Sequence, residues 1–411
     1  MTLLREREFR NFWLGQSVSL FGDQIAFVAL PLTAVLVLDA GPAQMGYLGA
    51  AALLPHLLLS LPAGVWLDRV ARRKRVMIGA DVGRAALVAT IPLAYGLDAL
   101  TLGQLYAVAF LAGCLAVLFG LSYPTLFVSV APRERFIEGN SLMHGSRSFS
   151  LVGGPTLGGI LVQLFSAPFA LFADAVSFLV SAFFLGRVRS VEPPVEEDDG
   201  SRLRERVATG LRFIGGNEIF RPSLTAVATL NFFNYAFGAL FVLYAVRSLG
   251  VEAGTLGLVL GAGAVGAVCG AFVAGRVGRR LGIGRAFLLG CVLFPAPLVL
   301  VPLAGGPRWL VLGMLFTAEL LSGLGVMILD INVGSVMLAR TPDRIRSRAM
   351  GAFRFVNYGI RPIGATVGGL LGSAIGVRET LFIVTIAPLL GVLWLVRSPV
   401  IRLHDLPAEA G

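Results

Sequence analysis

Residues 102–130 read LGQLYAVAFLAGCLAVLFGLSYPTLFVSV, a run without a single charged side chain. About 20 predominantly apolar residues are enough for a helix to cross the hydrocarbon core of a bilayer. Similar runs recur throughout the 411 residues, and only 14% of the chain is charged, against about 25% in an ordinary soluble protein. The sequence therefore predicts an all-helical polytopic membrane protein rather than a soluble enzyme.

Hydropathy, turn residues and charges together divide the chain into twelve predicted transmembrane spans. They are approximately Trp13–Leu38, Met45–Trp66, Val76–Tyr95, Leu102–Val130, Ser141–Phe165, Pro168–Leu185, Leu224–Val246, Gly254–Ala274, Ala286–Leu303, Trp309–Leu329, Ala349–Ile375 and Thr380–Val396. The fifth and eleventh spans have the weakest hydropathy, because they contain His144 with Arg147 and Arg354 with Arg361, respectively. Such side chains are tolerated at membrane depth only where they face protein or water.

Basic residues are concentrated in alternate loops, as in Arg69–Arg75 and Arg276–Arg285. The intervening loops carry only Arg247, Arg308 and Arg378. Because positively charged loops stay in the cytoplasm, this asymmetry predicts that both termini are cytoplasmic. We therefore expect a multi-pass protein of the cell (inner) membrane.

The longest polar break separates an N-terminal six-helix bundle, residues 1–186, from a C-terminal one, residues 221–411. In the linker, 187–220, an acidic run at 196–199 precedes apolar residues at helical spacing, which predicts an interfacial amphipathic helix. The two halves repeat, since Gly154, Gly158 and Gly159 align with Gly364, Gly368 and Gly369, and Gly46 aligns with Gly257. The sequence thus predicts two parallel six-helix repeats around a midplane cavity, which is a transporter architecture.

Several other kinds of site are disfavoured. The net charge of +10 is spread over the loops, which argues against a nucleic-acid partner. The only lysine, Lys74, lies between two arginines, so the chain has no P-loop for a nucleotide. Residues 261–266 match G-x-G-x-x-G within an apolar span, without the strand that a dinucleotide site requires. Cys114, Cys269 and Cys291 lack the spacing of a metal site and are interpreted as small core residues.

Residues 64–73 read GVWLDRVARR and lie between the second and third predicted spans. This stretch resembles the signature loop of the major facilitator superfamily, G-x-x-x-D-R-x-G-R-[RK], with Ala71 in place of the second glycine. Gly64 would permit close helix approach, and Asp68 would accept hydrogen bonds from arginine or from a helix N-terminus. A gating loop formed by Gly64, Asp68, Arg69, Arg72 and Arg73 is the functional interpretation. Alternatively, the basic residues only fix topology by binding lipid phosphate.

In the fifth span, Gly154-Pro155-Thr156-Leu157-Gly158-Gly159 resembles the core of the antiporter motif of drug-proton antiporters in the same superfamily. Pro155 bends the helix, and Gly158 and Gly159 allow a neighbouring backbone to approach. A bent, tightly packed seam formed by Gly154, Pro155, Gly158 and Gly159 can obstruct leakage through the closed carrier. Generic small-residue packing is the alternative.

The resemblance covers the whole chain and is closest to the bacterial macrolide-efflux and enterobactin-exporter branch. It implies a secondary transporter that exports amphipathic small molecules by proton antiport, with the proton gradient in place of any cofactor. It also implies a monomer in contact with membrane lipid. The fourth span lacks the basic residue of many proton-coupled drug exporters. A dedicated exporter of a siderophore or other self-made metabolite and a lipid flippase remain open alternatives.

Charged groups near the membrane midplane are the candidate coupling residues, because ionising them in hydrocarbon is costly. From helical rise, Asp23, Glu319 and Arg361 fall near the midplane. The superfamily arrangement implies that spans one, four, seven and ten line the cavity, which places Asp23 and Glu319 on the substrate path. We expect Asp23, Glu319 and Asp330 to couple protons, since a membrane carboxyl can bind a proton on one side and release it on the other.

Polar stripes at helical spacing extend this path on three spans. The expected substrate-cavity residues are Gln16, Ser19, Asn231, Asn234, Tyr235, Ser322 and Arg361. In the alternative interpretation, Asp23 or Glu319 forms a permanent ion pair with Arg361 or Arg147. Asp81, Arg84 and Asp174 lie on spans expected at the periphery and are interpreted as structural pairs.

Overall fold

The computed structural model describes residues 3–70, 72–189, 203–341 and 346–403. Within these ranges the chain is helical and contains no strand. The α-helices are α1 (Arg7–Leu36), α2 (Pro42–Asp68), α3 (Arg73–Gly96), α4 (Leu102–Val130), α5 (Phe136–Leu164), α6 (Ala167–Arg187), α7 (Leu203–Gly216), α8 (Phe220–Arg247), α9 (Ala253–Leu281), α10 (Ile283–Leu293), α11 (Leu300–Leu303), α12 (Arg308–Arg340), α13 (Arg346–Ile375), α14 (Val377–Ile386) and α15 (Leu390–Val396). The all-helical prediction is confirmed.

Ten segments of the described ranges are long and apolar enough to cross a membrane. Two of them are interrupted helices, Ile283–Leu303 and Val377–Val396, in which prolines replace part of the helix by a 3₁₀ turn. Helices α5 and α13 are 29 and 30 residues long but are not among the ten. They correspond to the fifth and eleventh predicted spans, which have the weakest hydropathy, so the count of twelve stays a prediction.

The distribution of side chains fits a lipid environment. Phe272, Trp309 and Leu93 are largely exposed, as are large apolar side chains on most of the long helices. Several charged side chains are instead buried. This pattern is the reverse of that in a soluble protein, where exposed apolar patches are limited and ionised side chains rarely enter the core. The chain is therefore a multi-pass membrane protein.

The chain divides into two compact units. The first unit comprises Met1–Gly41, Ala51–Gly200 and Val251–Gly261. In it α1 packs against α5 and α6, and α3 packs against α4 and α6. An aromatic cluster of Phe9, Phe12, Tyr123 and Phe127 closes one end, with ring centroids 5.4–6.4 Å apart. These rings join α1 to α4.

The second unit comprises Pro42–Ala50, Ser201–Gly250 and Ala262–Gly411. In it α8 packs against α13, and α10 packs against α12. The predicted linker helix is present as α7, but its last turn enters the core of this unit. Ile214 is buried there, and the Phe213 ring lies 5.3 Å from that of Phe220. The helix is thus anchored in protein at one end, which the prediction of an interfacial helix did not include.

The acidic run at 196–199 lies outside the described residues. The division into bundles at 187–220 stays a prediction, because the units assign the first turns of α2 and of α9 differently. The interpretation of all three cysteines as core residues is wrong for Cys269, which is exposed, while Cys291 is buried and Cys114 half-buried.

Candidate functional site

Three aspartates and one arginine meet inside the first unit. The Nη2 atom of Arg84 on α3 lies 2.5 Å from Oδ1 of Asp81 on the same helix. Its Nη1 atom lies 3.6 Å from Oδ1 of Asp23 on α1. Asp174 on α6 is close enough to interact electrostatically with all three groups. We call these four residues the aspartate–arginine cluster.

The sequence builds the cluster by helical spacing and by one glycine. Asp81 and Arg84 are three residues apart and therefore share a face of α3. Gly22 precedes Asp23 on α1, and a Cβ at this position would collide with Ser177 Oγ and lie 2.6 Å from Asp174 Oδ1. Only glycine allows α6 to bring its carboxyl this close to α1.

Rings of neighbouring helices hold the arginine in place. The Arg84 guanidinium lies 4.0 Å from the centre of the Phe178 ring and 4.9 Å from that of Phe119. A cation over an aromatic face is attracted by the ring quadrupole, most strongly where water is excluded. The guanidinium is therefore fixed between α4 and α6 while it faces the carboxylates of α1 and α3.

Exposure differs sharply among the carboxyl groups of the cluster. Asp81 is 0% and Asp174 2% exposed, whereas the Asp23 side chain is 44% exposed. The interpretation that Asp23 pairs with Arg361 or Arg147 is wrong, because its partner is Arg84. Sequence reasoning placed Asp81, Arg84 and Asp174 at the periphery because it had no information on which helices pack together.

The polar interior of the first unit continues beyond the cluster. Among the described residues, Asn11 Nδ2, Gln16 Nε2, Asp81 Oδ2, Arg84 Nε and Ser181 Oγ are buried without a hydrogen-bond partner. Such a group costs about 1–3 kcal/mol when it is left unsatisfied, so it marks a place for ordered water. Gln16 and Ser19, expected to line an open cavity, are both buried inside this unit.

Glu319 lies on α12 in the second unit, against a glycine-rich face of α9. A Cβ at Gly263 would lie 2.9 Å from Glu319 Oε2, and one at Gly266 would collide with the Leu320 carbonyl oxygen. The run 261–266 is therefore a helix-packing surface. Among the described residues, no basic side chain lies within 4 Å of the Glu319 carboxylate. On the same helix Ser322 is buried and Asp330 is exposed.

A polar contact joins α8 to α13 in the second unit. The Nδ2 atom of Asn231 donates to Oδ1 of Asn357 at 2.9 Å. The Arg361 guanidinium lies 4.2 Å from the ring centre of Tyr358 and 5.0 Å from that of Tyr235. Sequence reasoning found Asn231, Tyr235 and Arg361 but missed their partners Asn357 and Tyr358, which precede Arg361 on α13 by four and three residues. Asn234 is half-buried.

The predicted gating loop is held by one arginine. Arg73 lies 3.2 Å from Oδ1 of Asp68, and its Nη1 atom donates to Thr125 Oγ1 at 2.5 Å. The Asp68 side chain is 69% exposed. A Cβ at Gly64 would meet no atom within 4 Å, so the prediction that this glycine permits close helix approach is wrong. Arg69 and Arg72 lie in the same loop, and the gating role of all five residues stays a prediction.

The predicted antiporter seam packs tightly on both sides. A Cβ at Gly154 would collide with Gln24 on α1, and one at Gly158 would lie 3.1 Å from the Ile25 Cα atom. On the other side a Cβ at Gly159 would collide with the Ala253 carbonyl oxygen. The first turn of α9 also reaches Pro155, since a Cβ at Gly257 would collide with the Pro155 carbonyl oxygen.

The second unit repeats this contact. A Cβ at Gly369 on α13 would lie 2.7 Å from the Gly46 Cα atom on α2. Gly369 and Gly46 are the repeat counterparts of Gly159 and Gly257. The internal repeat read from the sequence therefore corresponds to two equivalent glycine contacts, each within one unit.

Comparison with known proteins yields a family and several relatives. A family model described as Major Facilitator Superfamily matches residues 12–365 and 248–410. The multidrug efflux pump Tap of Mycobacterium tuberculosis is 26% identical over 417 residues, covering 95% of this chain and 93% of that protein. The putative bacilysin exporter BacE of Bacillus subtilis is 25% identical over 248 residues, covering 59% of each chain.

Solved structures agree on the fold. A bacterial homologue of the iron transporter ferroportin, in an inward-facing state, superposes with a TM-score of 0.77 at 19% identity, covering 97% of this chain and 99% of that one. The nucleoside transporter NupG gives a TM-score of 0.71 at 13% identity, covering 96% and 98%. At such identities the likeness concerns the fold alone.

Proposed function

The chain belongs to the major facilitator superfamily, and on that premise we propose that it exports amphipathic small molecules across the cytoplasmic membrane by proton antiport. It is a transporter rather than an enzyme, with efflux pumps among its relatives. The proposal includes twelve membrane crossings with both termini in the cytoplasm. Helices α5 and α13 would be the two crossings with the weakest hydropathy.

One observation carries the coupling part of the proposal: carboxyl groups lie deep in the apolar helices of both units. The Asp23 side chain, at one end of the aspartate–arginine cluster, is 44% exposed. Glu319 lies between α9 and α12 with no basic partner within 4 Å among the described residues. Placing an ionisable side chain within the membrane costs free energy, so such a side chain is taken to be functional by default. Proton exchange at these acids, alternating with substrate, is the function that fits them best.

A transport assay with the purified protein tests this function. The protein is reconstituted in liposomes, and uptake of a lipophilic cation is followed under an imposed pH gradient. We expect accumulation against the substrate gradient that disappears when a protonophore collapses the pH difference. Accumulation driven by a sodium gradient at constant pH would contradict proton coupling. Movement of fluorescent lipid with no response to a pH gradient would favour a flippase.

A second candidate is export of one self-made metabolite. It is favoured by the similarity to BacE, a putative exporter of bacilysin, over 59% of the chain. A substrate panel of lipophilic cations, macrolides and siderophores separates the two candidates. Competition by several unrelated compounds supports multidrug export, whereas competition by a single class supports a dedicated exporter.

The glycine seam yields a separate prediction. Gly159→Ala places a methyl group against the backbone of Ala253, which no side-chain rotation can relieve. Overpacking of this kind costs about 1–3 kcal/mol, which shifts a closed-to-open ratio by about 5- to 150-fold. We expect faster passive leak of substrate from preloaded liposomes and a lower accumulation ratio.

The matched control is Gly153→Ala on the same helix. A Cβ at Gly153 would lie 3.4 Å from a ring carbon of Phe21, an ordinary contact with a movable side chain. This variant should leak at the wild-type rate. Equal leak from both alanine variants would contradict a sealing role for the contact between Gly159 and Ala253.

A further inference from the structure

The aspartate–arginine cluster holds more acidic groups than its one cation can neutralise. Besides Arg84, no basic side chain of the described residues lies within 4 Å of the three carboxyl groups. Helix α4 has no charged residue and presents Phe119 to Arg84. On α5, His144 and Arg147 are exposed, and at the end of α6 Arg187 lies over the Phe183 ring. With every carboxyl ionised, the cluster would bury uncompensated negative charge.

Burying an ionised side chain without a partner of opposite charge costs several kcal/mol even after the protein around it relaxes. A bound proton removes that cost, because a neutral carboxylic acid needs only ordinary hydrogen bonds. At least one of the three acids is therefore expected to be protonated when the site is closed.

The contacts single out one of them. Asp81 has the closest guanidinium contact, and Asp23 combines a second contact with a side chain that is 44% exposed. Asp174 has neither, and the Ser177 hydroxyl, its one side-chain hydrogen-bonding neighbour among the described residues, donates to the Asp174 backbone carbonyl at 2.8 Å. The same hydroxyl is 3.4 Å from the Asp174 carboxyl oxygen, which is a long contact. Of the three carboxyl groups, that of Asp174 therefore has the fewest contacts that stabilise a negative charge.

Buried polar atoms without a hydrogen-bond partner lie in or beside the same cluster. Asp81 Oδ2, Arg84 Nε and Ser181 Oγ are buried without a hydrogen-bond partner, and Ser181 lies beside the Asp81 carboxyl. Unsatisfied polar atoms from two helices that face one another form the kind of enclosure that holds ordered water. Water there would connect the enclosed carboxyls to one another.

We propose that Asp174 holds the transported proton and exchanges it with the partly exposed Asp23, with Arg84 as the fixed cation of the cluster. In the exchange the O–H bond of the Asp174 carboxylic acid breaks, and the proton passes through water to the Asp23 carboxylate. Asp174 becomes the carboxylate, and Asp23 then releases the proton to solvent. No electrons are transferred. This inference rests on the proposed proton antiport and assigns its proton site to a helix outside the predicted coupling residues.

Infrared difference spectroscopy of the reconstituted protein tests the assignment directly. At neutral pH, wild-type protein should show the carbonyl stretching band of a protonated carboxylic acid. Exchange of the acid proton for deuterium should shift this band. Asp174→Asn should remove one component of that band, and Asp98→Asn, a change of an exposed residue in the loop between α3 and α4, should leave the band unchanged. If the band persists unchanged in Asp174→Asn, the assignment is overturned.

Two further readouts separate a proton site from a structural role. Asparagine resembles the neutral acid in shape, so Asp174→Asn should fold with a wild-type melting temperature. It should exchange substrate down its gradient yet lose accumulation driven by a pH gradient. A variant that fails to fold would contradict a neutral Asp174. If wild-type protein shows the band but no pH-driven transport, the proposed function fails while the protonated acid stands.

Discussion

Replacement of Arg84 by methionine is expected to destabilise the protein by about 3–5 kcal/mol, the usual cost of removing one partner from a buried ion pair. Arg84 is the only cation within 4 Å of Asp81 and Asp23 among the described residues. Methionine keeps the stem that packs between the rings of Phe119 and Phe178 but removes the charge. The enclosed Asp81 carboxylate is then left without compensation.

Thermal unfolding in detergent measures this loss. The control is Arg133→Met, because Arg133 is exposed and surface substitutions usually change stability by less than about 0.5 kcal/mol. The double variant Arg84→Met with Asp81→Leu should recover much of the loss, since replacing a whole buried pair with apolar residues is often close to neutral. If Arg84→Met melts at the wild-type temperature, the ion pairs do not hold the cluster together. If the double variant melts lower than the single one, Arg84 acts through packing instead.

Much of the fold could be predicted from composition and local pattern. An uncharged run such as 102–130 has one stable conformation in a bilayer, a helix, because its backbone groups have no other partners there. The charges in the fifth and eleventh predicted spans also marked the two helices that fall short of the apolarity of the other crossings. These conclusions depend on single segments, and single segments are what sequence reasoning describes well.

The aspartate–arginine cluster depends on which helices pack against one another, and the sequence predicted that packing only in part. The spacing of Asp81 and Arg84 indicated a pair on one face of α3. No local pattern indicated that this face of α3 meets Asp23 on α1. The position of α1 depends on its close approach to α6, which is possible only because Gly22 has no side chain. The run 261–266 shows the same limit, because the contact of its glycines with the helix of Glu319 could be found only from the tertiary structure.

The final prediction concerns Glu319→Gln combined with Asp23→Asn, which should abolish accumulation driven by a pH gradient. For one-to-one exchange with a neutral substrate, a gradient of one pH unit supplies about 1.4 kcal/mol and sustains at most about tenfold accumulation. Glutamine and asparagine keep the shape of the acids but cannot carry a proton, so the accumulation ratio should fall to one. Substrate exchange at equal concentrations should continue, because binding does not require the gradient.

The single variants then show which unit carries the coupling. Loss in Asp23→Asn alone places the essential acid in the first unit, beside Arg84 and Asp174. Loss in Glu319→Gln alone places it on α12, where the carboxyl has no basic partner within 4 Å among the described residues and its neutralisation should cost little stability. Asp98→Asn serves again as the exposed control. If the double variant still accumulates substrate tenfold under one pH unit, neither acid couples protons and the proposed mechanism is wrong.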